Sequence, residues 1–339
     1  MAKIALHTVT SWITPLVHAH PNTLPRALAD KASCSLGRAR RLLCQLTELG
    51  WLLRSGPANR PRYAAGPMRQ IVQRYALAGL DEDRPWARDF APHFELLPAV
   101  RQMMQHAFTE LLNNAIDHSE GQQVTLSMRQ TASHVQLLVS DDGRGLFDKI
   151  RAGFAIEDPA MAMLELSKGR LTSSPERHTG RGLFFTSRLA DVFDLHANSV
   201  AFQHREWDPQ RWVRGRAVRP LGSSIYLAIA LDTPRTLDQV LRSASLDGTS
   251  YGIERTSLPL RLLTSETVAL ESRSQARRIA ARLGELKLAE LDFEGIEHIG
   301  QGFADELFRV YARHQGGVEL RVCHAGPNVR TMIEMAQTA

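Results

Sequence analysis

Hydrophobic residues near the N-terminus recur with the spacing of an amphipathic helix. From Leu36 to Leu49 they fall at every third or fourth position, which predicts a helix over this range. An earlier helix is predicted at Leu24–Ala32. Trp51 then begins a short strand, a turn rich in glycine and proline follows, and Arg62 begins a return strand. The pattern therefore predicts two helices followed by a β-hairpin.

The middle of the chain combines a long helical pattern with several alternating patterns. Helical spacing predicts helices at Ala99–His118 and Leu183–Val192, with an irregular stretch at Ile150–Thr179 between them. Alternation of apolar and polar residues predicts five strands. These strands are Gln123–Gln130, His134–Ser140, Leu195–His204, Glu206–Arg214 and Ser224–Leu231. This order of elements predicts an α/β sandwich in which neighbouring strands form hairpins.

The last third of the chain alternates between helix and strand. The predicted elements are a helix at Gln275–Leu283, a strand at Leu288–Phe293, a helix at Phe303–Arg313, a strand at Val318–Cys323 and a helix at Asn328–Ala336. Such alternation predicts a small α/β layer. For the whole chain the predicted fold class is α+β.

Length and proline content divide the chain into three predicted domains. At roughly 100–200 residues per domain, 339 residues suffice for two or three. Pro85, Pro92 and Pro98 predict a linker or an extended arm, because prolines at this density interrupt helices. The predicted limits are 1–80 for the first domain, 81–98 for a linker, 99–232 for the central domain, 233–256 for a second linker and 257–339 for the last domain.

Charge is distributed unevenly along the chain. Residues 1–80 hold eleven Lys and Arg against two acids, 11 − 2 = +9, so the remainder carries 5 − 9 = −4. A basic end on a mildly acidic body indicates a polyanionic partner, such as DNA, at that end.

The remaining composition favours a cytoplasmic protein. No stretch approaches the roughly 18 apolar residues that span a bilayer, and the N-terminus has no signal-peptide pattern. Cys34, Cys44 and Cys323 are odd in number and lack CxxC spacing, which favours reduced thiols. We therefore expect a cytoplasmic location and no membrane partner.

One face of the helix predicted at 99–118 carries a stripe of polar residues. Glu110, Asn114, Asp117 and His118 lie at i, i+4, i+7 and i+8, so they share this face. By itself the stripe also fits an ordinary amphipathic helix with one solvated side.

Two glycine-rich turns follow. In the first, a buried strand ends in Asp141, and Gly143 and Gly145 permit close approach of the backbone to a ligand. In the second, the segment Thr179 to Leu183 opens a helix, where backbone amides can bind phosphate. Taken singly, each turn also fits a plain strand or helix junction. The irregular stretch of about 30 residues before Thr179 is long enough for a lid.

Together and in this order, the three segments resemble the nucleotide-binding motifs of the superfamily of gyrase, heat-shock chaperone, histidine kinase and mismatch-repair ATPases. The resemblance implies bound ATP and Mg²⁺, with Asn114 as a magnesium ligand, Asp141 reading adenine and Glu110 as the candidate general base. Phe184 stands where many members have glycine, so the resemblance implies binding more directly than turnover. The residues expected at ATP or magnesium are Asn114, Asp117, His118, Asp141, Gly143, Gly145, Thr179, Gly180, Arg181, Gly182, Leu183 and Ser223.

The basic N-terminal segment resembles a winged helix-turn-helix. This resemblance implies that Arg38, Arg40 and Arg41 begin a recognition helix, and that Arg54, Arg60 and Arg62 lie on the wing. The alternative is a small helical docking domain with a solvated basic face.

The C-terminal third resembles a STAS-like domain of unknown function. In related STAS domains a serine in the turn after a strand is phosphorylated, but the turn here reads Ile-Gly-Gln-Gly-Phe at 299–303 and has no hydroxyl group. Phosphorylation of this turn by the neighbouring ATPase domain is therefore not expected. A scaffold role and contact with the lid are both open.

These patterns lead to one principal hypothesis and two alternatives. The principal one is a cytoplasmic, ATP-binding regulator whose nucleotide state biases binding of DNA or of a regulatory protein. The first alternative is a protein kinase that phosphorylates a separate partner, either like the serine kinases that regulate sigma factors or an atypical histidine kinase. The second is an ATP-driven homodimer. Whether ATP is hydrolysed, transferred or only bound stays open.

Overall fold

The computed structural model describes residues 5–169, 171, 180–208, 212–216, 221–265, 268–314 and 317–338. Two compact units share the chain: Met1–Gly143 with Ser224–Pro234 form the first, and Arg144–Ser223 with Arg235–Ala339 form the second. Both contain helices and strands, so the predicted α+β class is confirmed. Among the described residues, no helix combines the length and apolar character needed to cross a membrane.

The first unit begins with four helices and a hairpin. These elements are α1 (Leu6–Thr10), α2 (Ile13–Ala19), α3 (Leu24–Lys31), α4 (Leu36–Glu48), β1 (Leu52–Ser55) and β2 (Arg62–Ala65). The Ser35 side chain caps α4 by accepting a hydrogen bond from the Arg38 amide. The apolar face of α4, with Leu43 and Leu46 at its centre, is buried in a common core with α3 and the hairpin. The predicted pair of helices and hairpin are thus confirmed as elements.

Four antiparallel strands of a larger sheet lie in the first unit. In spatial order, these strands are β3 (Arg69–Ala76), β4 (Gln123–Gln130), β5 (His134–Asp141) and β9 (Ser223–Ala230). Helix α5 (Pro98–His118) packs on β5 and buries Met104, Phe108 and Leu111. Strand β3 falls inside the range 1–80 that the sequence assigned to the first domain, although it pairs along its whole length with β4.

The proline-rich stretch at 81–98 is not an extended arm. Two short helical segments, Pro85–Phe90 and Ala91–His93, occupy it. Trp86 and Phe90 lie one turn apart, are buried, and place their ring centroids 5.3 and 5.1 Å from that of Phe108 on α5. Because Pro85 occupies the first helical turn, where the missing N–H costs nothing, it begins this segment instead of breaking it.

The stretch 150–179, predicted to be irregular, contains helices as far as the structure describes it. Helix α6 (Leu146–Phe154) extends into it, and α7 (Pro159–Ser167) lies within it. The Asp158 side chain caps α7 by accepting a hydrogen bond from the Ala160 amide at 2.9 Å. Every residue from Ala160 to Ser167 is buried, so α7 has no polar face and gives no amphipathic pattern.

Helix α8 (Gly182–Leu189) precedes an antiparallel group made of β6 (Val192–Ala197), β7 (Val200–Arg205) and β8 (Trp212–Arg216). The sequence predicted one strand at 195–204. The structure turns the chain there at Asn198, whose φ of 54° lies in the left-handed region that asparagine tolerates.

The C-terminal part of the second unit is the predicted α/β layer. Its parallel sheet has the order β10 (Arg255–Pro259), β11 (Leu288–Asp292), β12 (Glu319–Cys323). The accompanying helices are α9 (Leu237–Arg242), α10 (Arg273–Ala280), α11 (Gln301–Ala304), α12 (Ala312–His314) and α13 (Pro327–Thr338), with a further helical segment at Asp305–Tyr311. The stretch predicted as a linker at 233–256 holds α9, which begins with a capping box formed by Thr236 and Gln239. The limits of the three domains stay a prediction.

Candidate functional site

Helix α5 places the polar stripe as the sequence predicted. Glu110 and Asn114 are half-buried and one turn apart, His118 is half-buried, and Asp117 is exposed. The side-chain nitrogen Nδ2 of Asn114 is buried and has no hydrogen-bond partner among the described residues. A buried, unsatisfied amide is costly and indicates a partner that binds there, such as a ligand oxygen.

His106 lies one turn before Glu110 on the same helix, and sequence reasoning gave it no role in the site. Its Nε2 atom is buried without a hydrogen-bond partner among the described residues. Burial lowers the pKa of His106, and the Glu110 carboxylate opposes this shift. The imidazole is therefore neutral at pH 7 and adds no positive charge beside Glu110.

Two adjacent carboxylates follow β5 and perform different tasks. Asp141 is buried, and its Oδ1 accepts a hydrogen bond from the Gly143 amide at 2.9 Å. Asp142 accepts hydrogen bonds from the Gln122 and Gln123 amides, both at 2.8 Å, and these bonds lower the pKa of Asp142. Asp142 thus fixes the loop after α5, and Asp141 is the carboxylate placed at the glycine turn.

Gly143 has a steric requirement of its own. A Cβ atom there would lie 2.0 Å from the carbonyl oxygen of Ser119, at the end of α5. The first glycine of the motif therefore allows the turn after β5 to contact the end of the helix that carries the polar stripe.

Within the second unit, Asn198 holds the second glycine of this motif. Gly145 has φ of 90°, and a Cβ atom there would lie 2.6 Å from Oδ1 of Asn198. The Asn198 amide donates to the carbonyl oxygen of Arg144 at 3.1 Å and to Oδ2 of Asp148 at 2.6 Å. Ser223 Oγ accepts a hydrogen bond from the Leu146 amide at 2.9 Å. Sequence reasoning missed Asn198; the signal was an asparagine that interrupts a strand pattern.

Replacing Gly145 by alanine is expected to destabilise the protein by about 2 kcal/mol, because the left-handed backbone strains any side chain and the new methyl group collides with Asn198. Urea unfolding of the variant measures the loss. Asn198→Ala should also destabilise the protein, because it loses the hydrogen bonds to Arg144 and Asp148. Since both substitutions disrupt the same contact, the double variant should lose less stability than the sum of the two single variants. Gly215→Ala is the matched control, since a Cβ atom there meets nothing within 4 Å. A Gly145→Ala protein as stable as the wild type would contradict this arrangement.

The second glycine turn opens α8, as predicted. Gly180 has φ of 69°, Arg181 is the N-cap residue, and the helix begins at Gly182. Arg181 donates from Nη1 to the carbonyl oxygen of Tyr251 at 3.2 Å. Leu183 is half-buried in the first turn. Thr179 lies outside the described residues.

Phe184, the departure from the superfamily pattern, has a structural task. Its side chain is buried, and a Cβ atom on Gly169 would lie 2.6 Å from its ring. The ring also packs edge-on against Phe185, with centroids 5.0 Å apart. The aromatic side chain therefore belongs to the core beneath α8.

The residues of α5 suit Mg²⁺ as the superfamily resemblance implies. No group of three or more His, Cys, Asp or Glu side chains that could hold a metal occurs in the described parts of the chain. Mg²⁺ usually takes one or two protein oxygens and fills its remaining positions with phosphate and water oxygens. The amide of Asn114 provides one such oxygen, and its buried NH₂ group can donate to a phosphate oxygen.

The arginines proposed to bind DNA lie on α4 and on the hairpin. Arg40 and Arg41 are exposed on the first turns of α4, Arg38 is half-buried there, and Arg54, Arg60 and Arg62 are exposed on the hairpin. Burial raises the pKa of Tyr63, and the charges of Arg54 and Arg40 both oppose this shift. Arg40 of the helix and Arg54 of the hairpin therefore both act electrostatically on the same tyrosine.

Comparison with known proteins assigns two parts of the chain. Residues 59–201 match the family model of the histidine kinase-like ATPase domain, and residues 275–330 match that of a STAS-like domain of unknown function. No curated protein matches the chain. The first match begins well before residue 99, so it includes β3 and the helical segments at 85–93, in agreement with the pairing of β3 and β4.

Proposed function

Because this chain carries a histidine kinase-like ATPase domain and a STAS-like domain, we propose that it is an ATP-binding regulator whose nucleotide state changes its affinity for DNA. The observation that carries the nucleotide part is the buried, unsatisfied amide of Asn114 on α5. The DNA part is supported by the exposed arginines on α4 and on the hairpin.

Each predicted nucleotide residue has a defined task in this proposal. Asp141 accepts a hydrogen bond from the exocyclic amine of adenine, which is a donor. Asn114 supplies an oxygen to Mg²⁺, which neutralises charge on the phosphates when bound. The amides at the start of α8, from Gly180 to Leu183, donate to phosphate oxygens. Asp117 and His118 extend the polar stripe toward the end of α5.

Glu110 is the residue proposed to act on a nucleophile. It lies one turn from Asn114, where a carboxylate can accept a proton or orient a water molecule. This arrangement also favours a second candidate function, transfer of the γ-phosphoryl group to a hydroxyl group of another protein. The turn at 299–303 has no hydroxyl group, so the acceptor would lie on a separate partner.

The DNA-binding surface is proposed to consist of the start of α4 and the hairpin. Arg40 and Arg41 on the helix and Arg54 and Arg62 on the strands are exposed cations that can contact phosphates. Such contacts release counterions, so the affinity for DNA should fall steeply as salt concentration rises.

The regulatory claim requires ATP to bind two conformations with different affinities. With a labelled duplex of mixed sequence, saturating Mg-ATP is expected to change the DNA affinity of the wild type by about 5-fold or more, measured by fluorescence anisotropy. Asn114→Ala should lose this change. Asn113→Ala, the same substitution at the preceding residue of α5, should retain it. Equal DNA affinity of the wild type with and without Mg-ATP would refute the proposal.

A further inference from the structure

A cavity of about 520 Å³ lies within the second unit, beside α8, β7 and the carboxyl ends of β10 and β11. Its volume is in the range of cavities that bind small molecules. None of the nucleotide-binding residues proposed above lines it. The cavity is therefore a separate place where a ligand can bind.

Arg188 supplies a cation on one side of the cavity. Its Nη1 donates to the carbonyl oxygen of Phe184 at 3.1 Å, its Nη2 donates to Oγ1 of Thr256 at 3.2 Å, and its guanidinium lies 3.5 Å from the centre of the Phe184 ring. Among the described residues it has no acidic partner. Burial lowers the pKa of Arg188 to about 10, so the group is still charged at pH 7.

A half-buried guanidinium without a counter-charge is unfavourable, and a bound anion would stabilise it. Taking a cation out of water costs several kcal/mol unless an opposite charge compensates it. The Phe184 carbonyl oxygen, the Thr256 hydroxyl group and the Phe184 ring compensate the charge of Arg188 only in part. Arg235 and Arg261 also line the cavity, as does the exposed Glu206, and Arg235 is already in an ion pair with Asp191.

Carboxylates at the end of β11 supply the opposite charge. Asp292 and Glu294 line the same cavity and are half-buried. The Oδ1 atom of Asp292 accepts from the Glu294 amide at 3.0 Å and lies 2.9 Å from Nδ1 of His324. These carboxylates disfavour a ligand that is only anionic, and they favour one that also carries an amine.

Trp212 adds an apolar wall. Its ring packs against His204 and Phe193, with centroids 5.0 and 6.2 Å apart, so its position is fixed. A cationic side chain, two carboxylates and a fixed aromatic ring are the groups that recognise an amino acid. We propose that this cavity binds a small zwitterion of the amino-acid class, with its carboxylate at Arg188 and its amine at Asp292 and Glu294.

The position of Arg188 gives this ligand a route to regulation. Arg188 is on the last turn of α8, the helix whose first residues are proposed to bind phosphate. A ligand that fixes the end of α8 would also restrain its beginning, because a helix of two turns moves as one body. This consequence rests on the proposed function, whereas binding of the zwitterion does not.

Thermal unfolding in the presence of each common amino acid, at millimolar concentration, tests the proposal. At least one is expected to raise the Tm of the wild type by about 3 °C or more. Arg188→Met should lose this rise, and without ligand it should unfold at the same or a higher temperature, because an uncompensated charge has been removed. Arg278→Met, the same change at an exposed position of α10, should retain the rise.

Further variants separate this site from the others. Asp292→Asn keeps the oxygen that accepts from Glu294 but loses the charge for the amine, so it should also lose the rise. Asp141→Asn should retain it, which separates this site from the proposed nucleotide site. The proposal is overturned if no amino acid raises the Tm of the wild type, if Arg188→Met keeps the rise, or if phosphate or acetate raises the Tm equally.

Discussion

Replacing Asp141 by asparagine is expected to weaken binding of Mg-ATP about 10- to 100-fold without unfolding the protein. Asparagine keeps an oxygen that can accept the hydrogen bond from the Gly143 amide, so the turn after β5 is preserved. Its NH₂ group, however, would place one donor against another, the amine of adenine. The substitution also removes the negative charge that strengthens the hydrogen bond. Isothermal titration calorimetry measures the change in affinity.

The adjacent Asp142 provides the matched control for this prediction. Its carboxylate is used by the Gln122 and Gln123 amides, and asparagine can retain an acceptor there. Asp142→Asn should therefore bind Mg-ATP nearly as tightly as the wild type, with some loss of stability. Equal affinity of the Asp141→Asn variant and the wild type, or a wild type that takes up no Mg-ATP, would end the adenine assignment.

Replacing Lys168 by methionine is expected to reduce the free energy of unfolding by about 3–5 kcal/mol. Lys168 Nζ lies 2.5 Å from Oε1 of Glu165, and the two side chains are buried, with exposed fractions of 4% for Lys168 and 5% for Glu165. The same nitrogen donates to the carbonyl oxygens of Ile279 and Ala281, at the end of α10. Burial raises the pKa of Glu165 and lowers that of Lys168, and each partner's charge opposes the other's shift. Methionine would leave the buried Glu165 carboxylate without its ion-pair partner.

Urea unfolding of three variants tests this second prediction. Glu165→Leu combined with Lys168→Met removes both charges, so it should recover most of the stability that Lys168→Met loses. Arg151→Met removes a more exposed partner of Asp148 and should cost less than about 1 kcal/mol. If Lys168→Met costs no more than Arg151→Met, the buried pair does not hold α7 to α10.

Elements with a one-sided apolar pattern could be predicted from the sequence. The helix at 98–118 was predicted at 99–118 because its buried residues recur every three or four positions. The strand at 123–130 was predicted with its observed ends, since its buried residues alternate strictly. In both elements the pattern is local, so no knowledge of the partner element is needed.

Elements whose pattern depends on distant partners were missed. Helix α7 is buried on all sides, so it has no polar face. Pro159 does not interrupt this helix, because it occupies the first turn. Strand β3 was assigned to the preceding domain because its partner β4 lies about 50 residues later in the sequence. For the same reason, the contact between Asn198 and Gly145 could not be predicted.

The sequence predicted which residues belong to the candidate site more completely than it predicted their contacts. The motif order placed Asn114 on a helix, Asp141 at a strand end and Gly182 at a helix start, as the structure has them. The order of the motifs assigned the adenine role to Asp141, but the sequence could not show that the neighbouring Asp142 binds the Gln122 and Gln123 amides, because that contact forms only in the folded chain.

Because α7 is completely buried by later segments of the chain, the domain that contains it depends on those segments. Strand β10, the segment Leu260–Leu263 and helix α10 cover α7, and all three follow residue 232. A fragment that ended where the histidine kinase-like ATPase domain ends would expose this apolar helix together with Glu165 and Lys168. Exchange of the C-terminal domain for another would therefore require compensating changes on the helix between the nucleotide motifs.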